Sequence, residues 1–313
     1  MRARRKPPAK SRTRTVVIAV IVFFIAVSVY IAVYGFAPFG PPGRTSARIK
    51  TVSPTDALVS VIDVGQGDCI VIQAGGTVVM IDAGDTSKES RNAVLSFLNE
   101  YGIARIDYLF ATHPHSDHIG GMRDVIESRE IGQIIFTYVD DPLLPTSQAF
   151  LELLKKIDEK DIPLEIAHIN DRYDLGLGYI TVLSAGGFGN LNDCSLVLLY
   201  RYDSGRFLFM GDAEMPAEKA MTDRGANLSC DVIKVGHHGS RNASGEEFLA
   251  SAKPEYAVIS CKTGNSYGHP HEETLDRLLA AGVEILRTDI DSTISFRCDG
   301  KGIEVVYEER QAA

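Results

Sequence analysis

At 313 residues, 45% hydrophobic and 23% charged, the chain can bury a substantial core, and composition alone separates neither enzyme from binder nor binder from scaffold. Charge excludes more. All 41 acidic residues lie beyond residue 35, whereas Arg2, Arg4, Arg5, Lys6, Lys10, Arg12 and Arg14 crowd the N-terminus, so 25 of the 32 basic residues remain for a body of net charge −16. Such a body has no general attraction for nucleic acid or anionic membrane, and a polyanion would have to be gripped at a local site.

In chain order, residues 15–36 come first as an element: a run of about twenty residues without a charge, long enough as a helix to cross the ~30 Å hydrocarbon core. The basic residues 1–14 place that end in the cytoplasm and the rest of the chain outside the cell. A cleaved signal peptide is the rival, but the run is too long and no small-x-small site follows it cleanly. Residues 37–56, rich in proline and glycine, read as a stalk, leaving a folded domain over residues 57–309. Its opening runs LVSVIDV, CIVIQA and TVVMIDAG predict neighbouring strands, and helix and strand alternate afterwards, from RNAVLSFLNEYG and IDYLFATH to EYAVISC and ETLDRLLAAGV. That order predicts a layered α/β domain with two sheets packed between helices. The cysteines, Cys69, Cys194, Cys230, Cys261 and Cys298, lack knuckle or framework spacing and read as small buried hydrophobes, with one disulfide open to an exported domain.

The segment THPHSDHIGG, residues 112–121, leaves the end of the strand IDYLFAT and holds His113, His115, Asp117 and His118 within six residues. Core packing does not require this concentration, and a polar surface loop seldom shows it. Imidazole nitrogens and carboxylate oxygens at this spacing can converge on metal at about 2.0–2.2 Å. Four further histidines stand in VGHHGS (His237, His238) and YGHPH (His269, His271), and His168 in EIAHIND reads as an ordinary surface or hairpin residue.

The H-x-H-x-D-H-x-G-G pattern resembles that of metallo-β-lactamase-fold hydrolases. DVGQGD at 63–68 and VGHHGS at 235–240 narrow the resemblance to the hydrolase domain of ComEC-type competence proteins, with IDAG, SLVL, FMGD and NSYGHP following in order. ComEC proteins carry many more membrane helices, which form a DNA channel, so a chain with one span cannot be that channel. The resemblance implies an αββα four-layer sandwich and two divalent ions, zinc or manganese. His113 and His115 would hold one ion, Asp117 and His118 the other, and Asp212 would bridge them. Two such ions lower the pKa of a shared water, so no serine or cysteine nucleophile is needed. Asp82 is either the carboxylate that orients a ligand histidine or a turn former before Gly84. His237 fits as the last ligand because it follows the strand CDVIKVG, which leaves His238 to face the substrate. His269 is a rival ligand or an acid for the leaving group, and His271 a solvated residue at the next helix start.

Many members of the wider fold have one more histidine between the first cluster and the bridging aspartate. This chain has NLNDCSLVL there, so Asp193 or Asn192 would supply an oxygen ligand, or both form a turn, and a looser site would tolerate manganese better than zinc. The implied reaction is phosphodiester hydrolysis of DNA or another polymer, with Asp117, Asp212, His238 and His269 at the chemistry and Lys234, Ser240, Arg241 and Asn265 as phosphate donors. An amide or ester hydrolase of lactamase or lactonase type is the second reading, and a non-catalytic DNA-capture or cell-wall module the third. Oligomeric state is not encoded in any motif.

Overall fold

Three antiparallel strands, β1 (Ala57–Val61), β2 (Ile70–Ala74) and β3 (Thr77–Ile81), open the fold, and β1 is buried throughout because it lies inside a sheet. The structure is a computed structural model and describes residues 52–307; the expected basic tail and membrane span lie outside the described residues. Among the described residues no helix is long and apolar enough to cross a membrane.

Helix α1 (Lys88–Glu100) follows, capped where the Ser87 side chain accepts the Ser90 N–H. It returns the chain to β4 (Arg105–Ala111), parallel to β3. Helices α2 (Ser116–Ile119) and α3 (Met122–Ser128) lead to β5 (Glu130–Phe136). Helix α4 (Gln148–Glu159), capped by Ser147, leads to the short β6 (Leu164–Ile166). The second sheet collects β7 (Arg172–Asp174), β8 (Tyr179–Ser184), β9 (Val197–Tyr202), β10 (Gly205–Phe209), β11 (Val232–Lys234), β12 (Tyr256–Ile259) and β13 (Glu284–Arg287). Helices α5 (Met215–Asp223), α6 (Glu246–Ala252) and α7 (Glu272–Ala280) connect its parallel strands. After α8 (Thr288–Asp291) the chain rejoins the first sheet as β14 (Ile294–Cys298) and β15 (Ile303–Tyr307), with β14 antiparallel to β1.

Val59, Ile72 and Phe110 of the first sheet share one core with Leu198 and Phe207 of the second. Val94, Leu98 and Leu153 cover the outer side of the first sheet, and Ala217, Met221, Leu249 and Leu278 that of the second. The result is the expected helix–sheet–sheet–helix stack. Each fully buried leucine or phenylalanine contributes about 1.5–3 kcal/mol, so the inner face of Phe207, Leu198 and Phe110 is what keeps the sheets together. All five cysteines are buried and free, so the disulfide left open by the sequence is not formed.

Strands β3, β4 and β5 run parallel, as do β10 to β13. Their carboxyl ends carry Asp82, His113, Asp212 and His238, which places the functional residues where loops leave the rigid strands of both sheets.

Candidate metal centre

Asp212 organises the site. Its Oδ1 lies 3.2 Å from His118 Nε2 and 3.5 Å from His238 Nε2, while its Oδ2 lies 3.5 Å from His113 Nε2 and 3.8 Å from His237 Nε2. Asp117 completes the first side, with its Oδ2 3.3 Å from His238 Nε2. His115 completes the second, with its Nδ1 2.9 Å from His113 Nε2. Two groups of metal-type ligands thus share one carboxylate: Asp117, His118, Asp212 and His238, and His113, His115 and Asp212.

These residues fit divalent ions on their hydrogen bonding. The facing atoms Asp212 Oδ1, His118 Nε2 and His238 Nε2 are all buried and make no hydrogen bond among the described residues. Three orphaned polar atoms within one pocket would be costly unless a cation satisfied them. The outer ring nitrogens explain the arrangement. His118 Nδ1 donates to Asp82 Oδ2 at 2.7 Å, and His238 Nδ1 donates to the Ser260 carbonyl at 3.0 Å. Each bond fixes the tautomer that leaves Nε2 with a free lone pair. Burial, and then the neighbouring His118, push His113 well below the ordinary histidine range and keep it neutral. Burial would lower His118 too, but Asp212, Asp82 and Asp117 outweigh it and raise that ring, so that without a cation it binds a proton on Nε2, which a metal ion would displace to use the lone pair.

The sequence motifs have local structural causes. At Gly67, φ is +136°, and a Cβ would meet the Asp117 carbonyl oxygen at 2.3 Å, so the DVGQGD loop can approach the H-x-H-x-D-H loop only as glycine. The contact is a hydrogen bond from the Asp68 N–H to that carbonyl, 3.2 Å long. Gly121 is equally tight, with a Cβ placed 2.2 Å from the Ala83 carbonyl oxygen.

His238, rather than the expected His237, joins the buried group of ligand-type side chains. His237 and His238 both have left-handed backbone, φ 44° and 51°, and this turn drops the His238 ring into the buried group. His237 stays at the rim, where Glu214 Oε1 lies 2.8 Å from its Nδ1. Asp193 does not join the ligands: its carboxylate accepts the Glu214 N–H and the Asn190 carboxamide. Asn192 does line the cleft, and its Oδ1 is buried without a hydrogen bond. His269 also lines it, facing His237 at 5.1 Å between rings, with burial and the two neighbouring histidines lowering its pKa to about 4.

None of the four expected phosphate donors lines the cleft. Lys234 is buried and its Nζ pairs with Asp68 Oδ2 at 2.8 Å. Ser240 donates to Glu214, Arg241 pairs with Glu273 at the surface, and Asn265 donates to the carbonyls of Lys262 and His269. A side chain's charge is visible in sequence, but its burial is not. Conversely, Asp68, Glu214, Gln66 and Tyr267 escaped assignment. Asp68 supports His238 from 3.5 Å, and Gln66 and Tyr267 line the cleft. The DVGQGD motif was the available signal for Asp68 and Gln66; Glu214 offered none beyond following Asp212 by two residues.

Two facing sheets whose strand ends bring imidazoles to both oxygens of one buried aspartate define a metallo-hydrolase fold with residues that could hold metal ions. The chain belongs to the metallo-beta-lactamase superfamily, whose family model matches residues 62–263. Among curated proteins it is 30% identical over 259 residues to ComE operon protein 3 of Bacillus subtilis, covering 76% of this chain and 33% of that protein. It is 29% identical over 268 residues to competence protein ComA of Neisseria gonorrhoeae, covering 84% of this chain and 35% of that one. The resemblance to ComEC-type competence proteins is borne out, and the chain spans about a third of the length of these relatives. The metallo-beta-lactamase fold protein YhfI from Bacillus subtilis superposes with a TM-score of 0.52 at 15% identity, covering 78% of this chain and all of that one, which shows the shared fold.

Proposed function

We propose that the protein is a metal-dependent phosphodiesterase acting on DNA or a similar polymer, held at the outer face of the cell membrane by residues 15–36. The observation that carries the reading is the division of Asp212, with one oxygen toward His118 and His238 and the other toward His113 and His237. Divalent ions held by these residues would supply an activated water and neutralise charge on both the entering and leaving oxygens. The chain's own part is positional. Asp82 and the Ser260 carbonyl fix the ligand tautomers, and Glu214 aims the His237 ring over the cleft toward Asp212. His269, held neutral by its surroundings, sits across the cleft from His237.

The cleft, about 260 Å³, is lined by imidazoles, carboxylates and amides, with Tyr267 its one large aromatic group. Lactam and lactone binders need an apolar wall, which these residues do not supply. Among the described residues no lysine or arginine lines the cleft either. Recognition would then rest on the ions and a few donors, and DNA cleavage should weaken only shallowly with salt. The supporting assay is hydrolysis of bis-p-nitrophenyl phosphate and of single- and double-stranded DNA, with manganese or zinc added and nitrocefin alongside. Turnover of both phosphodiesters is expected; turnover of nitrocefin with neither phosphodiester touched would overturn the reading. Protease added to intact cells should digest the domain, and protection until lysis would reverse the proposed orientation.

A further inference from the structure

The outer face of the second sheet, away from the metal centre, holds a cavity of about 360 Å³. Thr181 of β8 and Leu199 and Arg201 of β9 form its floor, and Arg224, at the end of α5, and Asn227 form its wall. It shares no residue with the metal cleft. Arg201 lies six residues along the chain from Ser195, which touches the metal ligands, and at about 3.3 Å per extended residue this is roughly 20 Å.

Two features set this cavity apart in an acidic body. First, among the described residues it is lined by two guanidinium groups and no carboxylate. The nearby arginines are compensated: Arg172 pairs with Asp174 while its guanidinium sits 3.7 Å from the Tyr179 ring centroid, and Arg206 pairs with Asp231. No ion pair is formed by Arg201 or Arg224 among the described residues. Arg224 instead donates to the carbonyls of Leu183 and Ala220, and burial lowers its pKa with no carboxylate to offset the effect. Second, Arg201 Nε is buried and has no hydrogen-bond partner among the described residues. A buried charged donor left unmatched is costly, and its fork geometry matches the paired oxygens of a phosphate.

We infer that this cavity is a second binding site, for the phosphate of a nucleotide or of a polynucleotide backbone, with Arg201 and Arg224 gripping the phosphate. The hydroxyl and amide groups of Thr181, Asn170 and Asn227 offer further polar contacts beside it. The volume suits one nucleotide unit rather than a bare ion. The inference is independent of the reaction at the metals, because it rests on a different face of the sheet.

The test uses the full chain in detergent, treated with chelator so that no hydrolysis occurs. Binding of thymidine monophosphate is followed by calorimetry and of fluorescein-labelled hexathymidylate by anisotropy, with glutamate as a carboxylate control. Wild type should bind a phosphate probe. Arg201→Gln should weaken it about tenfold, the loss expected for one charge-assisted contact. Asn227→Asp, which adds a negative charge at an exposed wall position without emptying the packing, should weaken it comparably. Both variants, loaded with metal, should hydrolyse bis-p-nitrophenyl phosphate at the wild-type rate. Binding of the mononucleotide alone would identify a free nucleotide as the occupant, and binding of both probes would identify the polymer backbone. Failure of both probes to bind, equal binding of glutamate, or affinity unmoved by Asn227→Asp would overturn the inference. A failure of the phosphodiesterase reading would instead appear as absent hydrolysis, with phosphate binding intact.

Discussion

Replacing Lys234 by methionine should destabilise the protein by about 3–5 kcal/mol, the cost of stranding one member of a buried ion pair. Lys234 and Asp68 are each 1% exposed in their side chains, and their charged atoms are 2.8 Å apart. Burial would raise the Asp68 carboxyl, but the Lys234 ammonium, joined by His238 and His118, outweighs it and holds the group at about 2 rather than the ordinary 3.8. Without the ammonium, Asp68 would have to stay charged without its partner or take up a proton. The double variant Asp68→Asn, Lys234→Met removes both charges and should recover more than half of the loss, leaving mainly the Val235 carbonyl that Lys234 Nζ also serves at 2.8 Å. Urea denaturation of the chelator-treated proteins, analysed as a double-mutant cycle, measures the coupling. A loss below about 1 kcal/mol, or single losses that simply add, would refute the buried-pair account. If Lys234 bound substrate instead, the methionine variant would raise KM at unchanged stability.

Asp212→Ala and His118→Ala should each reduce phosphodiester turnover to background while the domain stays folded by circular dichroism, whereas the exposed His168→Ala should be silent; wild-type turnover by either ligand variant would show the centre to be misassigned. Glu218 gives a pH prediction. Burial raises its carboxyl from 4.5 to about 7, against donation by the backbone N–H groups of Gly245 and Ser244. The folded state therefore holds this proton more tightly than the unfolded chain, so the contribution is complete below about pH 4.5 and is lost as pH rises through about 7. It is worth at most about 3 kcal/mol. The stability curve of Glu218→Gln should be flatter than wild type between about pH 5 and about pH 8, and parallel curves would refute the assignment.

The layered fold was legible because strand runs of four to six apolar residues and their alternation with helices are local signals. The H-x-H-x-D-H ligands were legible for the same reason, all standing on one loop after β4. His237 and His238 were not separable in sequence, since adjacent identical residues differ only in the turn that carries them, and two left-handed φ values decide which ring goes inward. Lys234 has another setting than the phosphate donor expected of it, because it lies in β11, whose three residues are all buried, where charge signals an internal pair rather than a surface contact. Arg201 was invisible as a site residue: its meaning comes from a cavity between β9 and the end of α5, which no local pattern encodes.

The central claim is that the cleft around Asp212 hydrolyses phosphodiesters only with divalent ions held by its histidines and aspartates. It is tested most directly by stripping the protein with chelator, restoring manganese or zinc in measured amounts, and following bis-p-nitrophenyl phosphate hydrolysis beside elemental analysis. Activity should vanish on stripping, return with added metal and saturate at no more than two ions per chain, with Asp212→Ala failing at every metal concentration. Hydrolysis that survives stripping in a protein containing no metal, or that Asp212→Ala retains, would contradict the account.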